Sequence, residues 1–171
     1  MDENQPKKNP GSAARHWWAT SLSPATGPGR AARAELRRCE TVADALAVEA
    51  THALHAALGG SLKHQADRLA LIAISLANIR EDDPLSAAAR FGHGERPALS
   101  PLRFQTLFRT EDPTDLMRTL RRALAQINYR ANVAYLARDL LYWGDNVRTR
   151  WCFDYYGAPI QENDTMEKAD A

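Results

Sequence analysis

Apolar residues recur at helical spacing along this chain, in segments separated by Pro and Gly, and this pattern restricts the fold more than any other feature. Between residues 42 and 58, and again between residues 62 and 80, the apolar side chains fall on one side of a helix. Ala, Leu and Arg are abundant and β-branched residues are sparse, which favours helices because unbranched side chains lose little rotamer freedom there. The sequence therefore predicts an all-α fold, a compact bundle of about six to seven helices with few or no strands.

Helix-start signals and breakers divide the chain into two helical lobes. Ser100-Pro101 and Asp112-Pro113 each place a capping side chain before a Pro at the first helical position. A chain of 171 residues can bury one substantial core, so the lobes are expected to pack together. The predicted organisation is a disordered segment 1–12, an N-terminal lobe 13–80, a connecting loop 81–98 rich in Pro and Gly, a C-terminal lobe 99–157 and a flexible acidic tail 158–171.

Charge is distributed unevenly, although the formal net charge is only +1. Residues 30–38 contain four Arg and one Glu, a local net charge of +3. Residues 100–151 contain nine Arg and five acidic residues, a net charge of +4, whereas residues 152–171 carry five acidic residues and one Lys, a net charge of −4. The acidic end therefore masks two basic segments, and the local balance is more informative than the sum.

Several classes of protein are disfavoured. The first twelve residues hold no apolar stretch, so no signal peptide or anchor is predicted, and the longest apolar run, residues 69–77, is too short to cross a bilayer. Cys39 and Cys152 lie far apart in helical patterns, which predicts buried free thiols rather than a zinc or redox site. A cytoplasmic protein without contact with a membrane is expected.

A search for catalytic or metal-binding residues leaves little. Glu49, His52 and His55 have the spacing of a helical metal motif. They project opposite the apolar side of their helix, where polar side chains are expected because that side faces water. His64 and Asp67 are spaced as an acid–base pair, and no nucleophile or oxyanion site accompanies them. No phosphate-binding Gly loop or nucleophile elbow is present. We therefore expect no enzyme activity, no cofactor, no metal and no small-molecule substrate.

Arginine is the informative residue type, because planar guanidinium groups suit phosphate oxygens. The alternative is that these arginines form a solvated face or pair with Glu35, Asp115 and Asp139, and composition alone leaves both open. Aromatic residues near helix ends, such as Trp17, are interpreted as packing residues. The candidate nucleic-acid-binding residues are Arg30, Arg37, Arg38, Arg103, Arg109, Arg121, Arg122, Arg148 and Arg150.

Ordered motifs along the chain are similar to those of a known family. They are Trp17-Trp18, Gly29-Arg30-Ala31, Leu36-Arg37-Arg38, residues 99–109 (LSPLRFQTLFR), Asp115-Leu116-Met117, Leu120-Arg121-Arg122, residues 136–143 (LARDLLYW) and residues 148–156 (RTRWCFDYY). On these motifs the chain resembles the CasB small subunit of the type I-E CRISPR Cascade complex. Residues 84–98 depart from the family, since Arg90-Phe91-Gly92-His93-Gly94 stands where a Gly-Lys-x-Leu-Ala-like stretch is expected.

The resemblance implies a helical, non-catalytic subunit of an antiviral surveillance complex. Its implied partners are the backbone filament and large subunit of Cascade, guide RNA, target DNA and a second copy of itself. Its implied function is to bind nucleic-acid backbone without sequence specificity and to stabilise the R-loop through the target or displaced DNA strand. The alternative is a purely structural adaptor whose basic faces contact protein partners.

Overall fold

The computed structural model describes residues 9–157, and this part of the chain forms ten α-helices and a two-stranded sheet. The all-α prediction is confirmed, but the expected six to seven helices are too few. The elements are α1 (Pro10–Ser21), α2 (Gly27–Arg38), α3 (Val42–Leu46), α4 (Glu49–Ala57), α5 (Ala66–Asn78), β1 (Glu81–Asp82), α6 (Ala87–Gly92), α7 (Pro101–Arg109), α8 (Pro113–Gln126), β2 (Arg130–Ala131), α9 (Val133–Leu141) and α10 (Asp145–Tyr155).

One reason for the higher count is that the helix expected over residues 42–58 is two helices. Thr41 and Asp44 form a capping box at the start of α3, and α4 begins after Val48, which has extended backbone. The Thr51 hydroxyl donates to the Ala45 carbonyl at 2.6 Å, which satisfies a carbonyl group at the break. Apolar residues at helical spacing continue across this break, so the spacing alone gave no sign of it.

A second reason is that residues 81–98 are not an irregular loop, as the sequence suggested. They contain β1 and α6, and the Ser86 hydroxyl caps α6 by accepting the Ala89 N–H at 3.2 Å. Phe91 of α6 is fully buried, so this helix is part of the core. Gly92 is the last residue of α6, and Pro97 follows the helix, so neither breaker interrupts it.

Both N-terminal helices begin at side-chain caps, and α1 begins before residue 13, where the N-terminal lobe was expected to start. α1 starts at Pro10 because the Asn9 side chain accepts the Gly11 N–H at 3.0 Å, so residues 10–12 are helical where disorder was predicted. α2 starts at Gly27, where Thr26 caps the Gly29 N–H at 3.1 Å, so the Gly-Pro-Gly segment opens a helix. The rest of the expected disordered segment, residues 1–8, and the expected acidic tail, residues 158–171, lie outside the described residues.

The core is one cluster of buried side chains to which both predicted lobes contribute. Residues 69–79, most of α5, are buried, and α5 packs against α2, α3, α8 and α9. α1 packs against α9, so the first helix crosses to the C-terminal part of the chain. β1 and β2 pair in parallel, with Glu81 opposite Arg130, which holds the segments after α5 and α8 side by side.

The two cysteines are free thiols. Cys39 is buried and Cys152 is half-buried, so the prediction of buried thiols is confirmed for Cys39. Burial raises the pKa of the Cys39 thiol, and Asp44 and Glu35 add to this effect. No helix between residues 9 and 157 is long and apolar enough to span a bilayer.

Candidate nucleic-acid interface

The basic end of α2 meets the basic side of α8. The Arg121 Nη2 atom donates to the Cys39 carbonyl at 2.6 Å, and Cys39 directly follows Arg37 and Arg38, the last two residues of α2. α8 buries its apolar residues, whereas Arg118 and Arg122 are exposed. The two arginine clusters, which are about eighty residues apart in sequence, are therefore neighbours in the fold.

The basic surface continues from α8 to α7 along two grooves. The first has a volume of about 240 Å³ and includes Glu40, Arg118, Arg121 and Arg122 in its lining. The second, between α7 and α8, has a volume of about 400 Å³ and is lined by Arg103 and Arg122 among others. Because Arg122 lines both grooves, the surface is continuous. We call it the basic strip and define it as Arg37, Arg38, Arg103, Arg118, Arg121 and Arg122.

Few carboxylates neutralise the basic strip. Arg118 and Asp115 lie 3.7 Å apart, and both side chains are more than half exposed, so their attraction is weak in water. Glu40 borders the first groove. The side chains of Arg38, Arg103 and Arg122 are exposed and form no ion pair within residues 9–157. The strip is therefore a positively charged surface on which guanidinium donors remain available.

An aromatic ring lies beside the α2 end of the basic strip. The guanidinium carbons of Arg80 and Arg37 lie 4.7 Å and 6.0 Å from the centre of the Tyr129 ring. Sequence reasoning missed Tyr129 and Arg80, because each follows a helix in a short connection without a recognisable motif. Both could have been found only from the packing of the ends of α5 and α8.

Arg33 of α2 does not lie on the basic strip. Its Nε and Nη1 atoms donate to the Leu22 and Ile79 carbonyls at 2.9 and 3.0 Å, and its guanidinium lies over the Trp18 ring. Burial, and then the charge of Arg37, lower the pKa of Arg33. Arg33 therefore joins α1, α2 and α5 rather than facing a ligand.

Four of the nine candidate arginines lie outside the basic strip. Arg30 is exposed and donates to the Pro24 carbonyl at 2.9 Å. Arg109 is exposed at the end of α7, and no described contact links it to the strip. Arg148 pairs with Glu111 at 3.1 Å and Asp145 at 2.5 Å. Arg148, on α10, is therefore paired with carboxylates, which is the alternative to phosphate binding that the sequence left open.

Arg150 forms an ion pair with Asp139, one of the partners that the sequence suggested. The other Asp139 oxygen accepts the Trp151 indole N–H at 2.7 Å. Burial raises the pKa of Asp139, although the Trp151 hydrogen bond and the charges of Arg150 and Arg138 oppose the effect. Arg150 therefore serves a buried carboxylate, which compensates part of the charge that a phosphate would otherwise meet.

The residues considered for a metal site do not form one. Glu49 and His52 are exposed, and His52 Nε2 lies 2.7 Å from the Leu46 carbonyl. In the described part of the chain, no group of three His, Cys, Asp or Glu side chains is placed to hold a metal ion. His64 and Asp67 are both exposed near the start of α5.

Most of the large aromatic residues pack in the core, as the sequence suggested. Trp17 is buried and donates to the Ala50 carbonyl at 2.8 Å. Tyr155 is buried, stacks on Phe104 with ring centres 4.0 Å apart and donates to the Leu99 carbonyl at 2.5 Å. Tyr156 is an exception, since it is 64% exposed.

Comparison with known proteins confirms the family resemblance. A family model described as CRISPR-associated protein Cse2 matches residues 32–156. A chain in the crystal structure of E. coli Cascade bound to a PAM-containing double-stranded DNA target is 21% identical, with a TM-score of 0.65 over 83% of this chain and 93% of that chain. CasB from Thermus thermophilus is 22% identical, with a TM-score of 0.67 over 88% of this chain and 99% of that chain. No curated protein sequence matches this chain.

Proposed function

The chain belongs to the Cse2/CasB family of small Cascade subunits, and from that premise we propose that it binds nucleic-acid backbone through the basic strip and stabilises the R-loop. The E. coli structure that it resembles is a Cascade complex on a double-stranded DNA target. We infer the corresponding partners here: the backbone and large subunits, guide RNA, target DNA and a second copy of this chain. Catalysis is not part of the proposal.

The observation that carries this proposal is the contact between Arg121 and the Cys39 carbonyl. It brings the Arg37-Arg38 end of α2 against α8, and Arg122 extends the same surface to Arg103. Guanidinium groups donate two parallel hydrogen bonds to phosphate oxygens, which suits a strand lying along the strip. Contacts to phosphate carry no sequence information, so binding that does not depend on base sequence is expected.

Such contacts are strong enough to matter during strand invasion. The guide–target duplex is about as stable as the DNA duplex it replaces, so modest contacts to the backbone can shift the balance towards the R-loop. On a single strand, each phosphate contact adds about 0.7 to the slope of log affinity against log salt. The isolated subunit is expected to bind weakly, because few contacts act together outside the assembled complex.

The test is a double charge reversal, Arg38→Glu with Arg122→Glu, in otherwise complete Cascade. Both side chains are exposed, so folding should be retained, and Arg121 is left intact because its contact joins α2 to α8. Target-DNA affinity is expected to fall, and the salt slope to decrease by about 1.4, which corresponds to two lost contacts. Affinity and R-loop lifetime are measured over a series of salt concentrations.

The matched control is Lys63→Glu with Arg96→Glu. It makes the same change of net charge at two exposed side chains that line neither groove of the basic strip. The control should bind DNA nearly as the unmodified complex does. Equal affinity and equal salt slopes in the two double variants would exclude the basic strip as the contact surface.

The structural-adaptor function has an observation of its own in its favour. Leu102, Phe153 and Tyr156 are each more than 60% exposed, and Phe153 and Tyr156 line one groove together with Phe108, an exposed apolar patch that suits a protein contact. Native mass spectrometry of the Arg38→Glu, Arg122→Glu complex separates the two functions. Loss of this subunit from an otherwise whole complex would favour the adaptor, whereas a whole complex with weaker DNA binding would favour the basic strip as a nucleic-acid contact.

A further inference from the structure

The groove between α7 and α8 is lined only by neutral and positively charged side chains. One face of each helix contributes to it, because residues three or four positions apart in a helix lie on the same side. Leu99 and Ala123, both buried, are part of the lining, and no carboxylate of the described residues is. The hydrogen-bonding side chains of the lining are Arg103 and Thr106 on α7, and Thr119, Arg122 and Gln126 on α8.

Most of these side chains have hydrogen-bonding capacity that the folded chain does not use. The Thr106 hydroxyl donates to a backbone carbonyl of its own helix at 3.1 Å. Within residues 9–157, the side chains of Thr119 and Gln126 form no hydrogen bond, and those of Arg103 and Arg122 form neither a hydrogen bond nor an ion pair. Two guanidinium charges that share one groove repel each other, and a bound anion relieves this repulsion.

We propose that this groove is an anchoring site for one phosphate of the bound strand, at which Thr119 and Gln126 act together with Arg103 and Arg122. The inference rests on the proposed function, which includes the two arginines in the basic strip and gives the two neutral side chains no role. The charged oxygens of a phosphodiester accept hydrogen bonds from several donors, so both walls of the groove can bind the same group.

A phosphate of a nucleic-acid strand fits this site better than a lone carboxylate of a protein partner does. Arg122 also lines the neighbouring groove, which contains Arg118 and Arg121. The charges that follow along a strand would therefore meet further guanidinium groups, as the repeating charge of a phosphate backbone requires. A single carboxylate would use only one part of this continuous surface.

The neutral donors give the site a property that the rest of the basic strip lacks. Binding through arginine depends on salt, because each paired charge releases counterions. A hydroxyl or amide that donates to a phosphate adds affinity without changing this salt dependence. The site therefore retains part of its affinity at salt concentrations that weaken the exposed arginines.

The test removes the neutral donors and keeps every charge. In complete Cascade, Thr119→Val with Gln126→Ala should weaken binding to target DNA about tenfold, with an unchanged salt slope. Val keeps the volume of half-buried Thr119, and Gln126 is exposed, so folding should be retained. Thermal melting and subunit stoichiometry are measured alongside affinity.

Gln105→Ala is the matched control. Gln105 is an exposed amide on α7 that lines neither groove of the basic strip. Its removal should leave affinity within about twofold of the unmodified complex. A loss as large as that of the Thr119→Val, Gln126→Ala variant would overturn the anchoring site.

A second measurement locates the phosphate. The phosphates of each DNA strand are replaced one at a time by uncharged methylphosphonate, and affinity is measured for the unmodified complex and for the Thr119→Val, Gln126→Ala complex. In the unmodified complex, replacement of the anchored phosphate should weaken binding about tenfold. In the variant the same replacement should cost less, because two of the contacts are already missing. Equal losses in the two complexes at every position would overturn the anchoring site.

Failure of this inference and failure of the proposed function give different results. If Thr119→Val with Gln126→Ala binds normally while Arg38→Glu with Arg122→Glu binds weakly, the anchoring site is wrong and the basic strip stands. If neither set of variants changes affinity or the salt slope, the proposed function itself is wrong. Loss of the subunit from the Thr119→Val, Gln126→Ala complex would overturn the anchoring site in favour of a contact with a partner protein.

Discussion

The arginines of α8 and those of α10 look equivalent in sequence and differ in the structure. On α10, Arg148 pairs with Glu111 and Asp145, and Arg150 pairs with Asp139. On α8, Arg121 donates to a backbone carbonyl and Arg122 is exposed without a carboxylate partner in the described chain. The difference arises from the neighbouring elements, because α9 brings a buried carboxylate to α10 whereas α2 brings more arginines to α8.

Because of this difference, a phosphate would meet different surroundings on α10 and on α8. A phosphate that approached α10 would compete with carboxylates already in place, and breaking the Arg150 pair would leave buried Asp139 with only the Trp151 hydrogen bond and the more distant Arg138, at 3.8 Å. A phosphate that approached α8 would meet Arg121 and Arg122, which have no carboxylate partner within residues 9–157. The number of arginines in a segment therefore predicts little about nucleic-acid binding until their carboxylate partners are known.

The largest expected difference between the two surfaces is in stability. Asp139→Ala leaves the buried Trp151 indole N–H without its acceptor and should lower the free energy of unfolding by about 2 kcal/mol, whereas Arg150, which is 44% exposed, remains solvated. Arg122→Ala, at an exposed position, should change it by less than about 0.5 kcal/mol. Urea unfolding of the two variants measures both values. Similar losses in both would contradict the division into structural and free arginines.

A smaller effect is expected in the pH dependence of stability. Because burial raises the pKa of Asp139, its contribution to stability is fully present below the unfolded-state pKa, about 3.9, and is lost as the pH rises through the raised folded-state pKa. Asp139→Asn keeps an acceptor for Trp151 and removes this titration. Its stability relative to the unmodified protein should therefore increase with pH, as measured by thermal melting between pH 4 and pH 7.

If the stability of Asp139→Asn relative to the unmodified protein is constant over that range, the charge of Asp139 does not destabilise the folded protein. Arg150→Gln serves as the companion measurement, since removing the partner charge should strengthen the pH dependence. No such change is expected for Arg122→Gln, which has no carboxylate partner in the described structure.

Among the α10 arginines that pair with carboxylates, the smaller effect is expected for Arg148. Its partners Glu111 and Asp145 are 78% and 91% exposed, so solvent screens both ion pairs. Arg148→Ala should lower the free energy of unfolding by about 1 kcal/mol or less, and the loss should shrink as salt is added. Target-DNA affinity should not change. Weaker DNA binding in this variant would extend the nucleic-acid surface to α10.

The sequence predicted the helical class and most of the C-terminal helices, because the physical signals there are local. Ser100 caps α7 and Asp112 caps α8, and each is followed by Pro as the pattern requires. The break before α4 was missed because its hydrogen bond joins Thr51 to Ala45 across a tertiary arrangement that no periodicity records. The helix within residues 81–98 was missed because α6 is short and depends on burying Phe91.

The candidate site was predicted in part, for a related reason. Arg38 and Arg122 could be predicted as members of the strip, because helical spacing and the family motifs are sufficient to place them on exposed faces. The pairing of Arg150 depends on how α10 packs against α9, which the sequence does not encode locally. Tyr129 lies in a two-residue turn with positive φ angles, and although Asn128 tolerates this conformation, a following Tyr does not signal it. Pairing and strain are properties of the packed molecule.

The packing of α1 against α9 has a consequence for synthesis of the protein. Residues 10–21 leave the ribosome more than one hundred residues before residues 133–141, so α1 must wait for its packing surface. Until then α1 can pack only against α2 and α4, as Trp17 does through the Ala50 carbonyl, and its α9-facing side is uncovered. The nascent chain is therefore expected to need protection from aggregation late into translation, and folding to be completed only after α9 has emerged.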